Sequence, residues 1–401
     1  MERGSVNPTD PEVPETQPAQ PEAPVAQAAH DIPPAAISPA VESQPAETRF
    51  LLWVLLGKQG LRAGWSIALF VVLTALFIAF VGAVFLKLHL IDTNAQHFTA
   101  QSVLFGELLQ VLGIAGAAAI VALIERRRGN LLAFNLMGPH RVLRFVEGLV
   151  AGFAALSLLI GGLAWGHWIT FGPIALSGAQ IFKFAALWGV AFLLVGCMEE
   201  GTFRCYLQFT LTRGINFWWA LGIVGLVCAD LLLRGTANGI WGVCIIALLG
   251  LVPCLLLHLN KVEGSNFWQA AWVTSTLFGL VHTGNKGENW IGIFAAAAIG
   301  FVFVVSIRVT GSAWWAIGCH AAWDWGLTYF YGAADSGNVA TGHYLTSSPT
   351  GDVFWSGGSD GPEGSLLVIG AILLLLVLLL VVYGRRKQAV IAASTSELAA
   401  G

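Results

Sequence analysis

The chain has 401 residues, of which 56% are hydrophobic and 11% are charged, and its formal net charge is -3. A soluble domain is about 25% charged, so this composition excludes an ordinary soluble protein and indicates a polytopic membrane protein. The six cysteines form no Cys-x-x-Cys pair, which argues against a disulfide framework and against a cysteine metal site.

The chain divides into three predicted regions. Residues 1–47 are rich in Pro, Ala, Glu and Gln and have no apolar stretch, so we predict a disordered tail and not a signal peptide. Residues 48–387 are predicted to form a membrane-embedded helical domain whose motifs lie within 199–324. Residues 388–401 are predicted to be a cytoplasmic C-terminal tail.

Ten apolar segments are predicted to be transmembrane helices, because a span needs about 20 apolar residues. The fold class is therefore all-α, a polytopic bundle of about ten spans. In chain order the segments cover about 65–86, 103–124, 142–165, 183–205, 216–233, 240–258, 266–284, 288–308, 312–331 and 365–384.

Loop charge predicts the orientation of these spans. Basic residues cluster in the loops of one side, and the positive-inside rule places that side and both termini in the cytoplasm. The opposite side carries the Gly-, Ser- and Asp-rich segment 332–364, which either packs over the outer face or is a plain solvated connection. The basic loop residues are Arg49, Lys58, Arg62, Arg126, Arg127, Arg128, Arg141, Arg213, Lys261, Arg308, Arg385, Arg386 and Lys387.

The first motif with chemical potential is Glu199-Glu200-Gly-Thr-Phe-Arg204, at the end of the fourth predicted span. A charge at bilayer depth costs about 2.5–3.5 kcal/mol on insertion scales, so such residues usually pair and face a cavity. On a helix, Glu200 and Arg204 are i,i+4 neighbours and are predicted to form an ion pair. Glu199 points about 100° away and lacks that cation, which makes it the candidate general base.

Two further motifs follow on separate spans. Phe278-Gly-Leu-Val-His282 puts an aromatic ring and an imidazole on one helix face. His320-Ala-Ala-Trp-Asp324 puts an imidazole and a carboxylate at i,i+4, so that the acid can orient the ring. Phe278, Trp323 and Trp325 are candidate substrate-binding side chains that line a pocket, although each could instead serve packing.

Together the three motifs predict a hydrolytic site. Glu199 would take a proton from water, the water would attack a peptide carbonyl, and His282 and His320 would stabilise the oxyanion or protonate the leaving amine. Asp324 would hold the water or fix a histidine tautomer. No apolar-buried Ser lies in a Gly-x-Ser-x-Gly setting and no Cys is paired with a motif His, so a covalent mechanism is less attractive.

The same side chains could instead bind zinc. Glu199, His282, His320 and Asp324 match a hydrolytic zinc set in residue type. His-Glu-x-x-His is absent, and the Glu199–Glu200–Arg204 cluster places a fixed positive charge near any such ion. We therefore predict a site without a cofactor and keep zinc as the alternative.

In this order on separate spans, the motifs resemble those of the CPBP family, which comprises the type II CAAX prenyl endopeptidases and their bacterial, bacteriocin-processing relatives. Over residues 100–331 the resemblance implies an intramembrane protease of the glutamic type, once labelled a metalloprotease. It implies that Glu199 is the base, that Glu200 and Arg204 support it, and that His282, His320 and Asp324 form the water and oxyanion set. The third motif departs from the family by ending in Asp where the eukaryotic enzymes commonly have Asn.

The resemblance also implies the helix arrangement, the partners and the cellular location of the protein. Residues 216–258 read as a helical pair inserted into an eight-helix core. The expected partners are the lipid bilayer and a membrane-bound peptide or protein substrate, without nucleic acid, in a bacterial inner (plasma) membrane. The alternatives are a proton-coupled membrane transporter, and a non-catalytic immunity or sorting protein of the same family.

Overall fold

The computed structural model describes residues 46–57, 60–91, 98–125, 127, 129–234, 239–285 and 287–400. The predicted tail at 1–47 lies outside the described residues except for its last two. Two short antiparallel strand pairs interrupt an otherwise helical chain, β1 Leu56–Gly57 with β2 Gly60–Leu61 and β3 Ile169–Phe171 with β4 Ser347–Pro349. The all-α fold class is therefore confirmed.

Thirteen α-helices are described, together with two π-helical segments. The π-helical segments are π1 Gly201–Leu207 and π2 Trp325–Phe330. The α-helices, in chain order, are α1 Ala46–Leu55, α2 Ala63–Lys87, α3 Ala100–Ile124, α4 Arg141–Trp165, α5 Ala179–Glu200, α6 Gln208–Thr212, α7 Phe217–Arg234, α8 Gly239–Leu259, α9 Ser265–Val281, α10 Trp290–Thr310, α11 Trp314–Asp324, α12 Val353–Ser356 and α13 Leu367–Ala400.

All ten predicted spans coincide with helices, but their lengths differ. Among the described residues, six helices are long and apolar enough to cross a membrane: α2, α3, α4, the continuous helix Ala179–Thr212, α10 and the Leu367–Gly384 part of α13. The helices α7, α8, α9 and α11 are not among these six, so crossing by these four stays a prediction. Large apolar side chains such as Phe80 and Phe182 are exposed on the long helices, as lipid contact requires, and the chain is an integral membrane protein.

Helices α4 and α11 cross with their backbones in contact because glycine occupies the crossing. A Cβ added at Gly148 would collide with the Trp315 carbonyl oxygen, and one at Gly152 would collide with that of Cys319. Gly148 and Gly152 form a Gly-x-x-x-Gly pattern, which lets membrane helices approach closely. This crossing fixes the position of His320, the residue that follows Cys319.

The segment 332–364 packs against the ends of the helices and is not a plain solvated connection. Strand β4 within it pairs with β3, which follows α4, and Asp360 is fully buried. Asp360 Oδ2 accepts a hydrogen bond from the backbone nitrogen of Asn289, the N-cap of α10, at 3.1 Å. The segment therefore ties the ends of α4 and α10 together.

Glu125, the residue that follows the end of α3, joins three helices through its two carboxylate oxygens. Arg213 donates to both oxygens at 2.8 and 2.9 Å, Arg127 donates at 2.9 Å, and the Ser66 hydroxyl donates at 2.8 Å. Burial opposes the ionisation of Glu125, but these hydrogen bonds outweigh it and lower the pKa of the carboxyl. The Glu125 cluster, defined by these four residues, holds α2, α3 and the end of α6 in register.

Candidate active site

The first motif lies where α5 passes into π1. Glu199 and Glu200 are the last two residues of α5, and Arg204 lies in the middle of π1. Glu200 and Arg204 are fully buried, and Arg204 Nε lies 3.2 Å from Glu200 Oε2, so the predicted ion pair is present. The Arg204 guanidinium also lies 4.0 Å from the centroid of the Phe278 ring, where a cation–π contact stabilises it.

His320 is the centre to which the carboxylates converge. Its Nδ1 lies 2.9 Å from Glu200 Oε1, and its Nε2 lies 3.4 Å from Asp324 Oδ2 and 3.7 Å from Glu199 Oε2. The two nitrogens of an imidazole point to opposite edges of the ring, so the adjacent carboxylates Glu199 and Glu200 contact different edges. Since ionised carboxylates only accept hydrogen bonds, this arrangement suits a ring protonated on both nitrogens.

Several polar atoms of this site have no hydrogen-bond partner among the described residues although they are buried. They are Oε2 of Glu199, Oε2 of Glu200 and the three guanidinium nitrogens of Arg204. Buried polar groups are normally hydrogen-bonded, and unsatisfied ones concentrate where chemistry occurs. Both π-helical segments also adjoin the site, π1 after Glu200 and π2 after Asp324, and π turns are frequent at functional sites.

His282 follows the last residue of α9 and lies next to the same group, separated from it by the Phe278 ring. The Phe278 ring centroid is 4.9 Å from that of His282 and 6.2 Å from that of His320. His282 Nδ1 lies 2.8 Å from the Phe278 carbonyl oxygen, which can only accept, so Nδ1 carries a proton and Nε2 is directed elsewhere. Within the described ranges, no hydrogen bond or ion pair joins His282 to Glu199, Glu200 or Asp324.

The three aromatic residues predicted to bind substrate differ in their surroundings. Phe278 is buried between Arg204 and the two histidines, so its ring supports the site from within. The indole Nε1 of Trp323 donates to Glu363 Oε1 at 2.8 Å, and that of Trp325 donates to the Ala185 carbonyl oxygen at 3.0 Å. Each of the two indoles thus has a hydrogen-bond partner within the protein, and contact of these aromatic residues with substrate stays a prediction.

Three acidic residues near the site were missed by the sequence reasoning. Glu107 on α3 lies within electrostatic reach of Glu199 and His320. Asp335 and Glu363 belong to the 332–364 segment, and their carboxylate oxygens lie within 4.8 Å of one another and of Asp324. Burial and the charges of Asp324 and Glu363 raise the pKa of Asp335 well above its usual range. Glu107 carried a signal, since it is the one carboxylate in the predicted span 103–124.

The side chains of the alternative zinc set are poorly arranged to bind that ion. Zinc binds neutral imidazole through a free lone pair, whereas both ring nitrogens of His320 face carboxylate oxygens. Among the described residues, the group of ligand atoms close enough for one ion is Asp324, Asp335 and Glu363, not the set Glu199, His282, His320 and Asp324. The buried Arg204 guanidinium beside Glu200 further opposes a divalent cation there.

Comparison with known protein families supports the interpretation of the second and third motifs. Residues 254–326 match the family model described as Rce1-like, Type II CAAX prenyl endopeptidase Rce1-like. No curated protein and no solved structure matches the chain. The matched range contains the second and third motifs with Phe278, His282, His320 and Asp324, and it begins after Arg204. The resemblance to the CPBP family is therefore confirmed over residues 254–326, the segment that matches the Rce1-like, type II CAAX prenyl endopeptidase model.

Proposed function

We propose that this protein is an intramembrane endopeptidase that hydrolyses a peptide bond of a membrane-associated substrate with water activated by Glu199. The observation that carries the proposal is the convergence of Glu199, Glu200 and Asp324 on His320, from the first and third motifs. The match of residues 254–326 to an endopeptidase family supports the same reaction class.

In the proposed reaction, Glu199 removes a proton from water while the water oxygen forms a bond to the peptide carbonyl carbon. The oxyanion accepts a hydrogen bond from Nε2 of His320, whose carboxylate neighbours Asp324 and Glu199 lie 3.4 and 3.7 Å away. When the C–N bond breaks, the proton held by Glu199 passes to the leaving nitrogen. Glu200 and Arg204 hold the His320 ring in place through Nδ1.

His282 is proposed to act on the substrate side of the Phe278 ring. Its Nδ1 is bound to the backbone of its own helix, so Nε2 is the atom available to the peptide or its oxyanion. Asp324 is proposed to share the water with Glu199, since both approach Nε2 of His320. The donor chemistry described above favours a reaction that uses no metal ion.

A cleavage assay on a membrane-tethered peptide tests this proposal. Purified wild type should release new peptide ends, and Glu199→Gln should reduce the rate by about a hundredfold to ten-thousandfold while the fold is unchanged. His282→Ala should also reduce the rate, and activity should survive complete removal of metal. A prenylated and an unprenylated form of one peptide, compared in parallel, would reveal whether the lipid contributes to recognition.

Three outcomes would contradict the proposal in different ways. Undiminished cleavage by both variants would show that Glu199 and His282 are not catalytic residues. Activity that is lost on removal of metal and restored by zinc would show that the reaction uses a metal ion. Flux of a solute without new peptide ends would instead establish the transporter. For the orientation, accessibility labelling of cysteines placed at the two termini should show both on the cytoplasmic side of the membrane.

A further inference from the structure

Helix α10 packs against the candidate active site although it carries none of the three motifs. Gly300 and Phe303 are buried residues of this helix, and their spacing of three places them on one face. A Cβ added at Gly300 would collide with Nη2 of Arg204 and would lie 3.3 Å from Cδ1 of Phe278. The Arg204 guanidinium therefore occupies the space that the absence of a side chain at Gly300 leaves open.

Three aromatic rings, the aromatic cage, surround the Arg204 guanidinium. Its Cζ lies 4.0 Å from the ring centroid of Phe278, 5.5 Å from that of Phe303 and 5.8 Å from that of Phe203. None of its three nitrogens has a hydrogen-bond partner among the described residues, and its Nε lies 3.2 Å from Glu200 Oε2. The ring faces and the Glu200 carboxylate are thus the groups that stabilise this buried cation.

The Phe303 ring also contacts the imidazole at the centre of the site. Its centroid lies 5.8 Å from that of His320, and the two ring planes are stacked at 26°. Arg204 contacts Glu200, and Glu200 Oε1 lies 2.9 Å from Nδ1 of His320. One face of α10 therefore contacts both ends of the series of contacts that runs from Arg204 through Glu200 to His320.

The Arg204 guanidinium has no free space into which it could move. An arginine on a protein surface would turn aside to make room for a methyl group. Arg204 is fully buried, with the aromatic cage on one side and Glu200 on the other, and close-packed interiors respond to a single added methyl group. A displaced guanidinium would move away from Glu200, which would then hold Nδ1 of His320 less firmly.

We propose that α10 positions the candidate active site through two residues of one face. Gly300 provides the space in which the Arg204 guanidinium lies. Phe303 fixes that guanidinium and the His320 ring relative to each other. This inference rests on the proposed function, because the orientation of His320 affects a rate only if its Nε2 donates to the oxyanion. Neither Gly300 nor Phe303 touches the reacting atoms, so both are positioning residues.

Cleavage of the tethered peptide tests the effect of the two residues on turnover. Gly300→Ala and Phe303→Leu should each lower kcat per folded molecule by about tenfold to a hundredfold with little change in KM, since orientation acts on the chemical step. Gly370→Ala is the matched control, because Gly370 is an exposed glycine of α13 where a Cβ meets nothing within 4 Å. This control should keep the wild-type kcat. If wild type cleaves, a wild-type kcat in either variant overturns the inference.

The conservative variant Arg204→Lys distinguishes positioning from general packing. Lysine has no Nη2 atom, so a Cβ at position 300 would no longer meet the cation. Gly300→Ala should therefore slow the wild-type protein but leave the slower turnover of Arg204→Lys unchanged. An equal loss in both backgrounds would show that Gly300 serves the packing of α10 alone, which would overturn the inference.

Thermal unfolding in detergent separates a failure of this inference from a failure of the proposed function, because it requires no cleavage. Gly300→Ala should lower the unfolding temperature by roughly 2–10 °C relative to Gly370→Ala, and should not lower it in Arg204→Lys. If Arg204→Lys does not fold, Glu200→Gln with Arg204→Met, which removes both charges, replaces that background.

The unfolding comparison decides the inference even if wild type cleaves no peptide and the proposed function fails. An unfolding temperature of Gly300→Ala equal to that of Gly370→Ala would overturn the inference. A decrease of the same size with and without the arginine would also overturn it, because the added methyl group would then meet something other than the guanidinium.

Discussion

Two clusters of buried charged residues lie along α3 and the continuous helix Ala179–Thr212. They differ in how many of their polar atoms are hydrogen-bonded. The Glu125 cluster lies at the end of α3 beside Arg213, and both oxygens of Glu125 are hydrogen-bonded, so that Arg213 Nε is its one buried side-chain atom without a partner among the described residues. The candidate active site lies roughly 27 Å along α3, beside Glu107, and buried atoms of Glu199, Glu200 and Arg204 have no hydrogen-bond partner among the described residues. A satisfied buried ion pair holds helices together, whereas an unsatisfied one is available to bind and react.

The largest stability effect should come from breaking the satisfied cluster. Glu125→Ala leaves the Arg213 guanidinium buried without its bidentate partner, and the loss should be about 3–5 kcal/mol of unfolding free energy. Thermal unfolding in detergent measures it, and turnover per folded molecule should stay near wild type.

A double variant supplies the control for this prediction. Glu125→Leu with Arg213→Met replaces both charges by apolar side chains and should recover much of the lost stability. A Glu125→Ala protein that unfolds at the wild-type temperature but turns over slowly would reverse the roles assigned to the two clusters.

A smaller effect should come from moving the active site without changing its charges. A Cβ in Gly152→Ala would collide with the Cys319 carbonyl oxygen and push α11 away from α4, at a cost of about 1–3 kcal/mol. His320 would move with α11, so turnover should fall more than stability does. Gly161→Ala on the same helix is the control, because a Cβ there meets nothing within 4 Å. Equal turnover in the two variants would show that the crossing does not position His320.

The smallest effect should come from Glu288 and Asp360, two carboxylates outside the candidate active site and outside the Glu125 cluster. Burial, followed by the charges of Asp360 and Glu363, raises the pKa of Glu288 from 4.5 to about 8, and burial and Glu363 raise that of Asp360 to about 7. Between pH 4.5 and about 8 the folded protein retains a proton that the unfolded chain has released, so stability should fall as pH rises through this range.

Glu288→Gln should weaken that pH dependence and raise the unfolding temperature at pH 8, as thermal unfolding across pH would measure. Part of the dependence should persist through Asp360. Glu263→Gln, a change at an exposed carboxylate in another loop, is the control and should behave as wild type. A Glu288→Gln protein with the full wild-type fall in stability would show that this carboxyl does not hold its proton in the folded state.

The sequence predicted the helices and much of the site because both follow local rules. Apolar length placed the helices, and i,i+4 spacing predicted the contacts of Glu200 with Arg204 and of His320 with Asp324. The proximity of Glu199 to His320 depends on how α5 packs against α11, which no single-helix periodicity contains. Glu107 was missed although it is the one carboxylate in the predicted span 103–124, because its neighbours in the site come from other helices.

The sequence pattern likewise did not predict the π-helical segment after Glu200, because apolar α-helices and apolar π-helices have similar amino-acid compositions. This segment has a consequence for how the protein tolerates deletions. An i→i+5 turn accommodates one residue more than an α-helical turn, so removal of one residue from Gly201–Leu207 would allow a regular helix to form. Everything beyond it would then keep nearly its present direction relative to α5, because the π turn already absorbs the additional residue. Arg213 would therefore still face Glu125, whereas removal of one residue from the α-helical part of α5 would rotate Arg213 by about 100° away from Glu125. The π-helical segment is thus the one place between the two clusters where the loss of a residue would leave the reacting part joined to the part that anchors it.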